Sequence, residues 1–406
     1  MMTDSKFPGW NDGGGDNVTR LPLEITPARL RDPRAIPPRP WLYGTILLRG
    51  FITVTVAPGG VGKSQLAMAI ALAIASGRKF LGHHIHHQVN SWILNLEDPL
   101  DEMDRRLAAL MIHHSIGVDE VQGRLFMNSG RDRPLVVAKL AEDGSTVVFP
   151  DKEEIIKKGR AAQVGHIVVD PYVRSHELDE NSNTQQAAAA AAWAQIADEL
   201  DCAVHLVHHT RKGAVTDIDA SRGAKALTDH ARAGLLLSAM PEEEATRLGI
   251  PLETRHSYIR LDDAKANMAP KDEKAQWFHL QPIKLHNETP DYPNGDTVTA
   301  IEPWTPPNVF DGLTDDGANA ALDAIDDASK SEAPLTAKAT SKNPKRWAGT
   351  VLVDMFGMEA GPAGAVIATW MKNGLLEEFT YRDKAEGKDR KAVKVVASKR
   401  PGTAYV

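Results

Sequence analysis

The stretch APGGVGKS, Ala57 to Ser64, follows the β-rich run FITVTVA (Phe51 to Ala57) and runs directly into an Ala/Leu-rich helical pattern. A phosphate-cradling loop between a strand and a helix requires that order. Glycines at 59, 60 and 62 let successive backbone N–H groups turn toward phosphate oxygens, and the helix behind them adds the positive end of its dipole. Pro58, Gly59, Gly60, Val61, Gly62, Lys63, Ser64 and Gln65 are therefore the candidate nucleotide-binding residues. Lys63 is placed to reach the β and γ phosphates of ATP, and the Ser64 hydroxyl to hold Mg2+.

Such a metal needs a second ligand from the end of a neighbouring parallel strand. HIVVDP, His166 to Pro171, ends its apolar run in Asp170, the candidate second metal ligand. Its plainer reading is an aspartate capping a turn before proline. Hydrolysis also needs a group that orients or deprotonates water. Glu97 closes the run SWILNLE on the strand after the phosphate-loop helix, a strand expected to lie beside the loop strand. A simple strand-end charge is the alternative. Asp98 is expected to cap the next helix, with Pro99 in its first turn.

The elements that must position these residues alternate. A helix is expected from Lys63 to about Ser76, another from about Leu100 to Met111, and an alanine-loaded one from about Thr184 to Leu200. Strands are expected at Arg124 to Met127, His166 to Asp170, Ala203 to His208 and Gly234 to Ser238, with a hairpin over Pro134 to Phe149. The runs at 166 and 203 are continuously apolar, as parallel strands covered on both faces are. The fold class read from this is α/β, with an open, mainly parallel sheet of about 250 residues.

The succession APGGVGKS, LNLEDPLDEMDRRL, IVVDPYVRSHELDENSN, HLVHHTRKG and SRGAKALTDHARAG resembles the RepA-type replicative helicases, AAA-type ATPases of the RecA-like superfamily, over about residues 30–305. The later DDAKANMAP is similar too, but has Ala264 where the family has Gly before the Lys. The resemblance implies a RecA-like P-loop ATPase core in which Glu97 is the catalytic glutamate and Asp170 the metal-binding aspartate. It implies that His208 or His209 is a γ-phosphate sensor, His209 being preferred. It places an arginine that acts across a subunit boundary at Arg222 or Arg232, with Arg232 preferred. The stretches Val173 to Thr184 and Lys212 to Ser221 stand where the family grips nucleic acid. Arg174, Arg211 and Lys212 are candidates for phosphate contacts, although Glu177, Asp179 and Glu180 make the first stretch acidic.

Composition sets the limits around this core. With 42% hydrophobic and 25% charged residues, the 406-residue chain is expected to be globular, with two or three domains. The longest apolar candidate, Leu66 to Ala75, is too short for a membrane span. Cys202 has no second cysteine to pair with, which fits a reducing, cytoplasmic setting. The net charge of -7 argues against a protein that wraps DNA over its whole surface. Charge is local instead: residues 338–406 hold thirteen Lys or Arg against seven acids, whereas 311–337 hold seven acids against one Lys. The expected organisation is an extended tail over 1–40, the ATPase domain over 41–310, an acidic linker over 311–342 and a winged-helix-like module over 343–406. HHIHHQ, His83 to Gln88, reads as a polar connection, since it lacks the helical frame that aims two imidazoles at one metal.

The expected function is an ATP-hydrolysing, ring-forming DNA helicase or translocase of plasmid or phage-type replication. Its expected requirements are ATP and Mg2+, and its expected partners single-stranded DNA and further copies of itself, as a homohexamer. The alternative is a nucleotide-switched regulatory or helicase-loader ATPase that holds DNA or a partner protein without unwinding.

Overall fold

In the computed structural model the described residues are 25–209, 224–270, 275–308, 310–339, 344–383 and 387–400. They form two units, one of residues 1–238 and 259–304, the other of residues 239–258 and 305–406.

The first unit is built on nine strands: β1 (Ile52–Ala57), β2 (Asn90–Asn95), β3 (Leu125–Ser129), β4 (Val164–Asp170), β5 (Ala203–His209), β6 (Ala233–Ala239), β7 (Tyr258–Ala266), β8 (Gln276–Lys284) and β9 (Thr297–Trp304). Their order across the sheet is β9-β8-β7-β6-β1-β5-β4-β2-β3. The six strands from β6 to β3 in that order are parallel, whereas β8 and β9 pair antiparallel. The fold is thus α/β with a large, mainly parallel sheet, as expected. One expectation is corrected: β2 does not lie beside β1, because β5 and β4 come between them. Nor is β4 next to β1. Strand order depends on which crossovers pack best over the sheet, and short-range pattern does not record it.

Register, however, brings the chemistry together. Ala57 is level with His209, and Asn95 with Asp170, so β1, β5, β4 and β2 all end on one edge of the sheet. Helix α1 (Lys63–Ser76) covers one face and is buried almost all round, from Gln65 through Ala75. Its Ala/Leu/Ile composition leaves no polar stripe, as a helix enclosed by other elements requires. Gly62 and Gly77 bound it, both left-handed (φ 79° and 73°), and the N–H of Gly77 closes the last turn on the Ala73 carbonyl. Helix α2 (Leu100–His114) adds Met103 and Leu110 to the same core. The opposite face is covered by α3 (Lys152–Ala161) and α4 (Asn183–Glu199). There the alanines of α4 allow close approach around the fully buried Trp193.

The second unit has its own core. Helix α5 (Ala224–His230) belongs to the first unit; the second begins with α6 (Glu242–Leu248), followed by α7 (Asp315–Ser329), α8 (Gly349–Phe356), α9 (Ala360–Lys372) and a hairpin of β10 (Leu376–Asp383) with β11 (Lys388–Val395). The stretch 311–342, expected as an acidic linker, instead supplies the 15-residue α7 to this core. Ala318, Ala321, Leu322 and Ile325 are its buried face, at i, i+3, i+4 and i+7. The Asp-rich outer face masks that stripe in the composition of the stretch. Residues 239–258 cluster with this unit although they are interposed between β6 and β7. No helix among the described residues is long and apolar enough to cross a membrane.

Candidate active site

The loop after β1 has the backbone its glycines predict. Gly60 and Gly62 adopt φ of 82° and 79°. A Cβ at Gly62 would sit 2.8 Å from Ile259 Cδ1, so this position combines a left-handed backbone with close packing. Gly59 and Gly60 are exposed with no atom near a would-be Cβ, which leaves the loop open to a ligand. Val61 packs against the core and Pro58 is half-buried. Gln65 departs from the expected set, because its side-chain amide donates to the Thr299 carbonyl and ties α1 to β9.

Behind the loop, Lys63 is only 6% exposed. Burial lowers its pKa, while the Asp170 and Glu97 carboxylates act to hold the ammonium charged. Asp170 is 5% exposed, and its carboxyl is raised by burial against the pull of a hydrogen bond from the Ser64 hydroxyl and of Lys63. Two hard oxygen donors, one anionic, thus stand together beside a buried cation. That donor set fits a magnesium ion shared with phosphate oxygens.

Glu97 acts on the same groups, even though three strand spacings separate β2 from β1. Its backbone is held on both sides: its N–H donates to Asn95 Oδ1 (3.0 Å) and its carbonyl accepts from Arg131 Nε (2.6 Å). Asp98 is not the cap it was expected to be. Pro99 occupies the cap position of α2, and the Asp98 carboxylate accepts from Arg106 Nη1 (2.6 Å) and Asn95 Nδ2 (3.1 Å). Asn95, Arg106 and Arg131 are the residues that sequence reasoning missed. Of these only Asn95, two residues before Glu97, carried a local signal, that of an Asx turn.

The two candidate sensor histidines part company in the structure. His208 turns into the core on the α4 side, where its ring meets Tyr172 edge-on at 6.1 Å and burial drives its pKa down to about 4. His209, half-buried, feels both Lys63 and Glu97, and its pKa is lowered chiefly by burial. A cleft of about 700 Å³ brings His209 together with Glu97, Arg174, His176, Glu177 and Glu180. Arg232 lies elsewhere. It is exposed just before β6, level with Ile52 at the amino end of β1, its guanidinium 5.7 Å from the Phe51 ring centre. That is the sheet edge opposite the chain's own phosphate loop. Arg222, Arg211 and Lys212 lie outside the described residues. In the HHIHHQ stretch, His83 bonds Gln276 (2.8 Å) and His86 the Gly44 carbonyl (3.0 Å).

Among solved structures, the chain is similar to a KaiC-like protein of the hyperthermophilic archaeon Pyrococcus horikoshii, at 13% identity and a TM-score of 0.40, over 64% of this chain and 91% of that one. Residues 18–215, just under half of the chain, match the family model described as an AAA domain, and with the loop geometry this supports a P-loop ATPase.

Proposed function

We propose that the protein hydrolyses ATP at the carboxyl edge of its sheet and couples this to movement on DNA as a ring-forming helicase or translocase. The observation that carries the ATPase reading is the convergence of Lys63, Ser64, Asp170, Glu97 and His209 from four strand ends onto one edge. In this reading the backbone of Gly59 to Ser64 and the Lys63 ammonium hold the phosphates. Ser64 and Asp170 hold Mg2+, which supplies charge neutralisation for the transferring phosphoryl group. Glu97 orients a water for attack and His209 stands where the γ-phosphate is read. In the same reading Arg232 acts on the neighbouring subunit, a role supported by its exposure at the sheet edge away from the chain's own loop. Replacing Lys63 by Ala is expected to lower kcat by at least about a hundredfold, the order seen when one charge-stabilising donor is lost. Turnover at the wild-type rate would remove the phosphate-loop assignment.

The second reading, a nucleotide-switched or loader ATPase that does not unwind, is favoured by the hairpin of the second unit. Three of its described cations are occupied: Lys391 pairs with Glu378 (2.9 Å), Lys394 with Glu377 (2.8 Å) and Arg382 with Asp389 (3.2 Å). Cations paired this way have less to gain from phosphates than free ones. ATP-dependent separation of a forked duplex decides between the two: strand separation supports the motor, and DNA-stimulated turnover without it supports the switch.

A further inference from the structure

Glu97 combines a fixed backbone with a loosely held side chain. Asn95 and Arg131 pin its peptide groups, and Asp98 beside it is anchored by Arg106 and, through its carbonyl, by the Ser129 hydroxyl (2.7 Å). The carboxylate has one recorded partner among the described residues, Arg174 Nε at 3.6 Å, with 46% of the Glu97 side chain and 67% of the Arg174 side chain exposed.

Arg174 is launched from an equally fixed base. It sits in the 3₁₀ turn Tyr172–Ser175, four residues after Asp170. Tyr172 is fully buried and donates its hydroxyl to the Gln186 carbonyl (3.2 Å), while Ser175 is held between the Tyr172 carbonyl (2.7 Å) and Trp193 Nε1 (3.1 Å). Two fixed backbones are therefore bridged by one ion pair between two partly exposed side chains, both lining the cleft that His209 also lines. Glu177 and Glu180 line the same cleft and offer the guanidinium other carboxylates once it leaves Glu97.

We propose that Arg174 is a positioning residue that restrains Glu97: while the pair is closed the carboxylate is turned to the guanidinium, and turnover requires the pair to open. This rests on the reading of Glu97 as the group that orients water. An exposed pair shifts such an equilibrium by about two- to fivefold, and salt weakens it.

The test is ATP turnover by the full chain without DNA. Arg174→Ala and Arg174→Gln are expected to raise kcat about two- to fivefold with KM for ATP unchanged, and Arg174→Lys to restore the restraint in part. Wild-type kcat should climb from low to physiological ionic strength, whereas that of Arg174→Ala should not. Arg174 is exposed, so a melting temperature near wild type is expected for each variant. Glu97→Gln is made alongside. If it stays active, the reading of Glu97 itself fails; if it is inactive while Arg174→Ala is no faster, or slower, than wild type, the restraint alone is overturned.

Discussion

Lowering the pH from about 7 to about 5 should destabilise the sheet unit through histidines buried in their neutral form. His205 is fully buried, and His208 and His176 are each 7% exposed. Burial holds all three at about 4, against an ordinary value of 6.5. A depressed folded-state value means that the unfolded chain binds more protons below 6.5, so the stability is complete above 6.5 and is lost as pH falls toward 4. For a histidine with these two values the loss between about pH 7 and about pH 5 is close to 2 kcal/mol. His208 and His176 repel each other when charged, so the three together amount to roughly 4–6 kcal/mol. The structure gives no escape through a new acceptor: His205 Nδ1, His208 Nδ1 and His176 Nε2 have no hydrogen-bond partner among the described residues. Asp170 works in the opposite direction, since burial raises its carboxyl and its protonation relieves the folded state as pH falls. Urea unfolding followed by tryptophan fluorescence at both pH values measures the sum, to which the fully buried His166, also held well below its ordinary value by burial, adds in the same direction. His205→Gln, which retains a partner for the Thr55 hydroxyl (2.7 Å in the native pair), isolates one member and should remove about 2 kcal/mol of the pH dependence. A midpoint that is the same at both pH values, or a pH dependence untouched by His205→Gln, would refute the reasoning.

Two further substitutions probe the loop and the second unit. Gly62→Ala places a side chain at φ 79° against Ile259, costing about 1–2 kcal/mol in strain, and should weaken ATP binding about tenfold, read by a fluorescent nucleotide titration; undiminished affinity would show that the loop tolerates a different backbone. Leu322→Ala removes a fully buried side chain from α7 and should cost the second unit about 2–5 kcal/mol, seen as faster amide exchange in α8 and α9. Unchanged exchange there would mean that α7 adds nothing to that core.

Much of the candidate site was legible because its signals are local. The glycines at 60 and 62 fall where left-handed backbone is needed, and the limits of α1 are those that its composition and flanking glycines announce. Asp170 and Glu97 are polar residues that end apolar runs. What sequence pattern alone misreads depends on partners beyond its reach. Asp98 looks like a helix cap in sequence, yet the Arg106 guanidinium, eight residues on, takes its carboxylate. Gln65 looks like part of the loop, yet its amide is taken by Thr299 in β9. In the acidic stretch 315–329 five aspartates outnumber the four apolar positions that decide its burial.

The sequence by itself determined the α/β class, the phosphate loop and the residues that end the strands, because periodicity, glycine φ preference and strand-end polarity act within a few residues of the chain. Only the tertiary structure decided that β5 and β4 separate β1 from β2, that His209 and not His208 faces Lys63, and that Arg174 comes within 3.6 Å of the Glu97 carboxylate. Those choices are made by packing and charge between segments tens of residues apart, where the free energy of burying one side chain outweighs any local preference.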